Sequence, residues 1–405
     1  MRAALLCCLL GLVACGRDGG RAGGSTVTDS AGVRVVTSTI PEWGDGSGWR
    51  VDSVPLLSIG ESNGPNPILL VEVNGVRLLS DGRVAVVSGG ENAVLYFDAT
   101  GKLLRKSGRS GAGPGEFRSV ALVGALGDSL LIWDGQLDRA TLLDPEGKVA
   151  RTFTLTRADT VAGRRFGFAP AATFTSGGLL VAGRAGAATG DRSGIRRDTI
   201  PLRTATAAGV LGGEVVRVPG TEAVVVTTPK YVTRFDRPFG RRTSIATRGT
   251  ETVVSTGDLD GVALYDTSGR ETASYRIDRA RRAIPASDID ALGRKQGEQI
   301  TQLPPDLASP LRKVILDAGV PATLPTAYQV LVDAAGAIWL RDDVGPVLRD
   351  SIPQHWSVLS PAGAWLGGLT TPRRMDVHQV TGDRVIGVWH DENDVEYVRI
   401  YRLRR

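Results

Sequence analysis

The chain of 405 residues is poor in the groups that most often carry chemistry: three cysteines, three histidines and two methionines, with 5% aromatic residues. Cys7, Cys8 and Cys15 all fall within the first fifteen positions. No disulfide framework can therefore hold the body of the chain, which must rest on a sizeable apolar core, and about 380 residues can bury one. The histidines, His355, His378 and His390, lie near the end, and none is paired at metal-ligand spacing. Lysine is scarce as well. Only six of the 48 basic residues are lysines, and the arginines are scattered through nearly every turn. A formal charge of +5 and a pI near 9.3 invite a nucleic-acid reading, but no basic tract with interleaved aromatics and no nucleic-acid motif accompanies them. Nucleic acid is not an expected partner. There is no nucleophile–base pair, so no catalytic residue is assigned and the reading leans away from an enzyme.

What is present begins at the N-terminus. Met1-Arg2 is a short positive region, and Ala3 to Val13 is apolar but too short to span a bilayer as a mature helix. Leu12-Val13-Ala14-Cys15 resembles the bacterial lipobox, in which the signal is cut before a cysteine that becomes diacylated. The resemblance implies a signal peptide over 1–14, lipidation of Cys15 and a membrane anchor. A Gly-rich tether over 15–32 is expected to follow. The alternative is an ordinary signal peptide cut nearby. Gly16 after the cysteine favours the outer membrane, with the protein facing the periplasm.

The body of the chain repeats. Apolar β-type runs recur at 82–87, 128–133, 178–182, 250–254, 336–340 and 383–389, each entered through a turn. Repeats of this kind point to an all-β, six-bladed β-propeller over 33–405. One unit predicts four strands, 119–126, 129–133, 139–143 and 148–155, with an Asp144-Pro-Glu-Gly147 turn. That turn recurs as Asp98-Ala-Thr-Gly101, as Asp266-Thr-Ser-Gly269 and, more weakly, as Ser360-Pro-Ala-Gly363. Aspartate accepts backbone hydrogen bonds at the start of such a turn and glycine tolerates positive φ at its end.

Three of the intervals between runs are about one blade long, and two are longer, about 71 and 87 residues. The first excess is assigned to a polar, Gly-rich loop over about 185–196. The second is assigned to a helical insertion over about 285–324, with Ser287 and Asp288 capping one helix and Pro305-Asp306 starting another that ends at Gly319. The blade boundaries within 166–260 stay open. The last unit stops one strand short. Pro55 to Gly60 followed by Gly64-Pro65 echoes Leu103 to Gly108 followed by Gly113-Pro114, so the segment around Trp49–Ile59 is expected to complete the last blade.

The string Gly108-Arg-Ser-Gly-Ala-Gly-Pro-Gly-Glu-Phe117, with the Asp-x-x-Gly turns and the closing Glu396-Tyr-Val-Arg-Ile-Tyr-Arg-Leu403, resembles the bacterial six-bladed β-propeller lipoproteins related to NHL-repeat proteins. That resemblance implies fold and address more than activity. The string itself lacks a following Lys-Ser/Thr and leads into a strand, which reads as a blade crossover rather than a phosphate loop. Asp391-Glu-Asn-Asp394 could attract calcium but reads as a solvated hairpin loop, and no cofactor is assigned. The crossovers between blades and the loops joining second to third strands share one propeller face. That face is expected to gather Glu116, Arg118, Asp134, Arg139, Arg341, Asp342 and His390 beside the helical insertion as candidate ligand-contacting residues. The expected function is a membrane-tethered, monomeric binding or scaffolding protein for a peptide, glycan or partner protein. The alternative is a metal-dependent, lactonase-like hydrolase or lyase with its site on the propeller axis.

Overall fold

A computed structural model describes residues 24–44, 47–60, 68–155, 159–161, 164–185, 192–230 and 232–405. Cys15 and the signal segment lie outside the described residues, as do Gly64-Pro65 and residues 186–191 of the loop expected at 185–196.

The apolar runs form the middle strands of antiparallel meanders. We number these I to VI: residues 73–107, 120–154, 164–219, 244–277, 329–371, and 375–404 completed by an N-terminal segment. Residues 84–88 and 93–97, the second and third strands of meander I, are buried at every position, whereas the outermost strand Leu103–Ser107 is exposed at three of five. Continuous burial arises because both faces of each sheet are covered by neighbouring sheets. The clusters of buried side chains show which sheets those are. Six of them join I to II, II to III, III to IV, IV to V, V to VI and VI back to I. The first strands pack in the same cyclic order. The architecture is a propeller, and its ring is closed.

Closure uses the N-terminal segment. Arg50–Val51 and Leu57–Ile59 both pair antiparallel with Glu396–Arg404, the last strand of VI. The N-terminal segment thereby covers the outer edge of the chain's last strand. The Asp-x-x-Gly turns behave as their residues dictate. Asp144 Oδ1 accepts the Glu146 and Lys148 N–H groups at 2.9 and 2.8 Å, and Gly147 sits at φ +73°. Phe117, at the end of the Gly-Pro-Gly-Glu string, is 1% exposed and packs between I and II.

Three expectations need correction. The segment read as tether is structured from Ser25. Ser25–Ser30 pairs antiparallel with Val33–Ser38, which runs parallel to Glu271–Ile277 and extends meander IV by two strands. Thr26-Val27-Thr28 has strand propensity, and Ala31-Gly32, both at positive φ, makes the tight hairpin turn. The excess length between III and IV is not confined to 185–196. Gly194–Arg196, Ala223–Thr227 and Val232–Asp236 form a separate three-stranded sheet. Ala223–Val226 is a short buried apolar run, which periodicity cannot distinguish from a ring strand. Finally, the first helix of the insertion, α1 (Ala286–Thr301), begins at Pro285 with no side-chain cap, so Ser287 and Asp288 lie inside it. α2 (Pro305–Ala318) carries proline in its first turn and ends at Gly319, φ +60°. A one-turn helix, α3 (Gly345–Leu348), lies between the second and third strands of V.

Candidate ligand-binding site

The topology places every large insertion on one face. The α1–α2 pair lies in the crossover from IV to V, and α3 in the link between second and third strands of V. The extra sheet comes from the corresponding link of III and the crossover from III to IV. The seven candidate residues lie on links of the same two kinds, but they do not form one cluster.

Four of them make a knot between I and II. Asp134 is fully buried, and its carboxylate accepts the backbone N–H groups of Arg118 (2.7 Å), Gln136 and Leu137 (both 3.0 Å). The Arg139 guanidinium donates to the carbonyls of Ala112 and Glu116. The Glu116 carboxylate accepts from Gly113 N–H and Arg109. These groups are occupied in holding the crossover. Arg118 contributes its backbone, and its side chain is exposed.

Arg341 and Asp342 are adjacent but turn to different partners. Arg341 is 2% exposed, donates to Gln354 at 2.9 Å and pairs with Asp376 at 2.8 Å. Asp342 joins Arg279 (2.9 Å) and His355 Nδ1 (2.9 Å), and Arg279 also grips Asp260. Burial opposes the charge of Asp342, but the His355 hydrogen bond and the Arg279 cation outweigh it and hold its pKa below the ordinary aspartate value. For Asp260 the balance reverses, and burial, only partly offset by Arg279, pushes the pKa up. This network clamps the stem of the insertion. Beside it, Arg282 donates to the Asp343 carbonyl and Ala283 bridges Thr323. His390 stands apart on VI, its backbone N–H bonded to Arg374.

Of the concavities among the described residues, two lie at opposite faces of the ring. One, of about 480 Å³, is the axial channel, lined by all six first strands and opening among the turns between first and second strands, on the face away from the insertions. Its titratable lining includes Arg77 and His378. Burial lowers the pKa of His378, with Asp376 opposing, and so favours the neutral imidazole. Among the described residues, no three His, Cys, Asp or Glu side chains come together to hold a metal ion.

The other cavity, of about 530 Å³, lies on the insertion face between α1, α2, the extra sheet and α3. Its wall is mostly apolar, with Phe239, Leu292, Ile300, Leu303 and Leu311 prominent. Arg237, Arg242, Lys295 and Arg349 bring positive charge to it, against the carboxylates of Asp236 and Asp343. Phe239 fits because Gly345 has no side chain: a Cβ there would lie 2.5 Å from the Phe239 ring, and φ is +78°. The sequence offered a faint signal for this wall. Pro238-Phe239-Gly240 punctuates the crossover from III to IV, and Gly345-Pro346 the link between the second and third strands of V.

No protein-family model matches the chain, and a search of curated proteins gave no match. Solved structures do resemble it. A member of the DUF4221 family from Bacteroides vulgatus aligns over 88% of this chain and 99% of its own, at 8% identity and a TM-score of 0.50. A protein of Bacteroides fragilis described as exported covers 92% and 100% at 9% identity (TM-score 0.46), and a streptogramin B lyase 88% and 98% at 10% (TM-score 0.38). The likeness is one of fold alone. Among the described residues, no helix is long and apolar enough to cross a membrane.

Proposed function

We propose that this chain is an exported propeller protein, anchored through Cys15 in the cell envelope, that binds its ligand in the insertion-face cavity. The observation that carries the reading is the cavity itself. Elements that the ring does not need for closure surround about 530 Å³ with apolar side chains and place polar groups at its edge. Small-molecule sites have this size and make-up, and they favour loops over a rigid scaffold. The axial channel is of similar volume but is walled by the ring's own first strands, with Arg77, Arg248 and His378 among its side chains, and by none of the inserted elements. The Gly-rich start of the mature chain and the lipobox-like Leu12–Cys15 support export and anchoring.

The test is mass spectrometry of small molecules extracted from the purified chain, native and Leu303→Trp. Leu303 is a half-buried wall residue on the segment between α1 and α2, so the indole should fill the cavity without opening the ring. A species retained by the native chain and lost from the variant is the expected result. Identical extracts from the two would refute the site. Loss of labelling by palmitate in Cys15→Ser is the expected result for the anchor.

A further inference from the structure

The charged end of the cavity indicates what class of molecule it accepts. Tyr328 stands immediately before the first strand of V, and three guanidiniums surround its ring. The Cζ atoms of Arg349, Arg341 and Arg242 lie 4.2, 4.8 and 5.0 Å from the ring centre. Like charges gathered around one ring repel unless each has a counter-ion, and two of these do. Arg341 pairs with Asp376 at 2.8 Å and Arg242 with Asp236 at 2.9 Å. Among the described residues Arg349 has no carboxylate partner, although it is half-buried and lines the cavity together with Arg242. Stacking on a tyrosine uses the face of a guanidinium. Its N–H donors lie in the plane and stay free for a planar, two-oxygen acceptor.

Resting on the cavity reading above, we infer that the occupant is an amphipathic carboxylate. Its carboxylate is taken by the in-plane donors of Arg349, and its apolar body lies along Phe239, Leu292, Ile300, Leu303 and Leu311. A neutral amphiphile of the same length satisfies the wall but leaves Arg349 without a counter-ion. A cationic one adds a charge where Arg237, Arg242, Lys295 and Arg349 already outnumber the carboxylates of Asp236 and Asp343, the first of which is paired with Arg242. The ordering of affinities is therefore carboxylate, then alcohol, then ammonium.

Isothermal titration of the full chain, carrying Cys15→Ser so that no acyl group or detergent competes, tests this with decanoate, 1-decanol and decyltrimethylammonium. Decanoate is expected to bind at least about tenfold more tightly than decanol, as a charge-assisted bidentate contact allows. Arg349→Gln should remove that preference and leave decanol unchanged. Arg349→Lys, which keeps the charge but not the planar fork, should retain only part of it, and it serves if the glutamine variant does not fold. Equal affinity for decanoate and decanol, or a preference that survives Arg349→Gln, overturns the inference. If decanol binds and Leu303→Trp abolishes it while the carboxylate preference is absent, the cavity stands and its charge selectivity falls. If none of the three probes binds, the amphiphile assignment falls, and the cavity is then judged by the extraction comparison alone.

Discussion

The ring and the insertion are built from the same aliphatic residues, yet they are covered to different degrees. At the V–VI interface Trp339, Trp356, Val358 and Val385 are all completely buried. In the clusters beneath the helices Leu307, Val314 and Ile284 each remain 9% exposed. A ring sheet has a neighbour on each face, whereas α2 packs on the extra sheet and α1 on α2 and α3, with their other sides in solvent. The difference separates two tasks. Close packing all round fixes the ring, and the less completely covered layer is the kind of region that opens locally. The two concavities follow the same division, a channel between strand edges at the centre and a side-chain-walled cavity at the margin.

The largest test of that division compares two core truncations. Trp339→Ala should cost about 3–5 kcal/mol, since a fully buried indole leaves a cavity that a closed ring cannot collapse around. Its urea midpoint should fall together for all strands. Leu311→Ala should cost about 2–4 kcal/mol, but within the insertion. In hydrogen exchange, amides of 286–318 should lose protection while those of 84–97 keep theirs. If Leu311→Ala lowers protection in both regions equally, the insertion is part of the ring's cooperative unit and the comparison breaks.

How much of this was legible in the sequence follows the same line. Ring strands announce themselves because burial on both faces produces uninterrupted runs such as 84–88. Turns announce themselves because an Asp–Gly pair three apart has little else to do. The strands Arg50–Val51 and Leu57–Ile59 were found by the echo of Leu103–Gly108. The extra sheet was missed because Ala223–Val226 looks like any ring strand, and its partner Gly194–Arg196 is only three residues long and polar at its end. The hairpin at 25–38 was missed because glycine and serine before it suggest a tether. The candidate site was less visible. The shared face could be argued from topology, but the sequence pointed to Asp134 and Arg139, whose groups are used up in local hydrogen bonds. Tyr328, Arg242 and Arg349 were not found, since they come from three separate links and no spacing connects them.

The Arg279 network joins the two regions, and pH distinguishes its carboxylates. The folded-state pKa of Asp342 is depressed, so its contribution to stability is fully present above the ordinary aspartate value, 3.8, and is lost as pH falls below that. The folded-state pKa of Asp260 is raised, so the opposite sign holds: its ionisation is less favourable in the folded chain, and stability from this group is lost as pH rises through that pKa. Asp342→Asn should therefore cost about 1–3 kcal/mol at pH 7, where it weakens a buried charge-assisted pair, and should flatten the acid limb of the melting profile below pH 4. Asp260→Asn should cost less at pH 7 and leave that limb steep. Equal losses and parallel acid limbs would show that Arg279 treats the two carboxylates alike, and the insertion stem would then be clamped to IV as firmly as to V.

The smallest effect comes from two arginines of the same knot that the sequence could not rank. Arg139 sends its guanidinium back to the carbonyls of Ala112 and Glu116, inside the crossover from I to II. Arg118 uses only its backbone N–H, bonded to Asp134, and leaves its side chain in solvent. Charge and position on the face are shared; what differs is whether the side chain replaces water for a backbone acceptor. Arg139→Ala should cost about 1–2 kcal/mol, because two carbonyls lose a charged donor. Arg118→Ala should stay within about 0.5 kcal/mol of the native chain, since alanine keeps the N–H. Chemical denaturation of the two variants side by side measures the difference. A loss of more than about 1 kcal/mol in Arg118→Ala would mean that this exposed guanidinium has a partner in the folded chain, and that the knot reaches further across the face than its hydrogen bonds indicate.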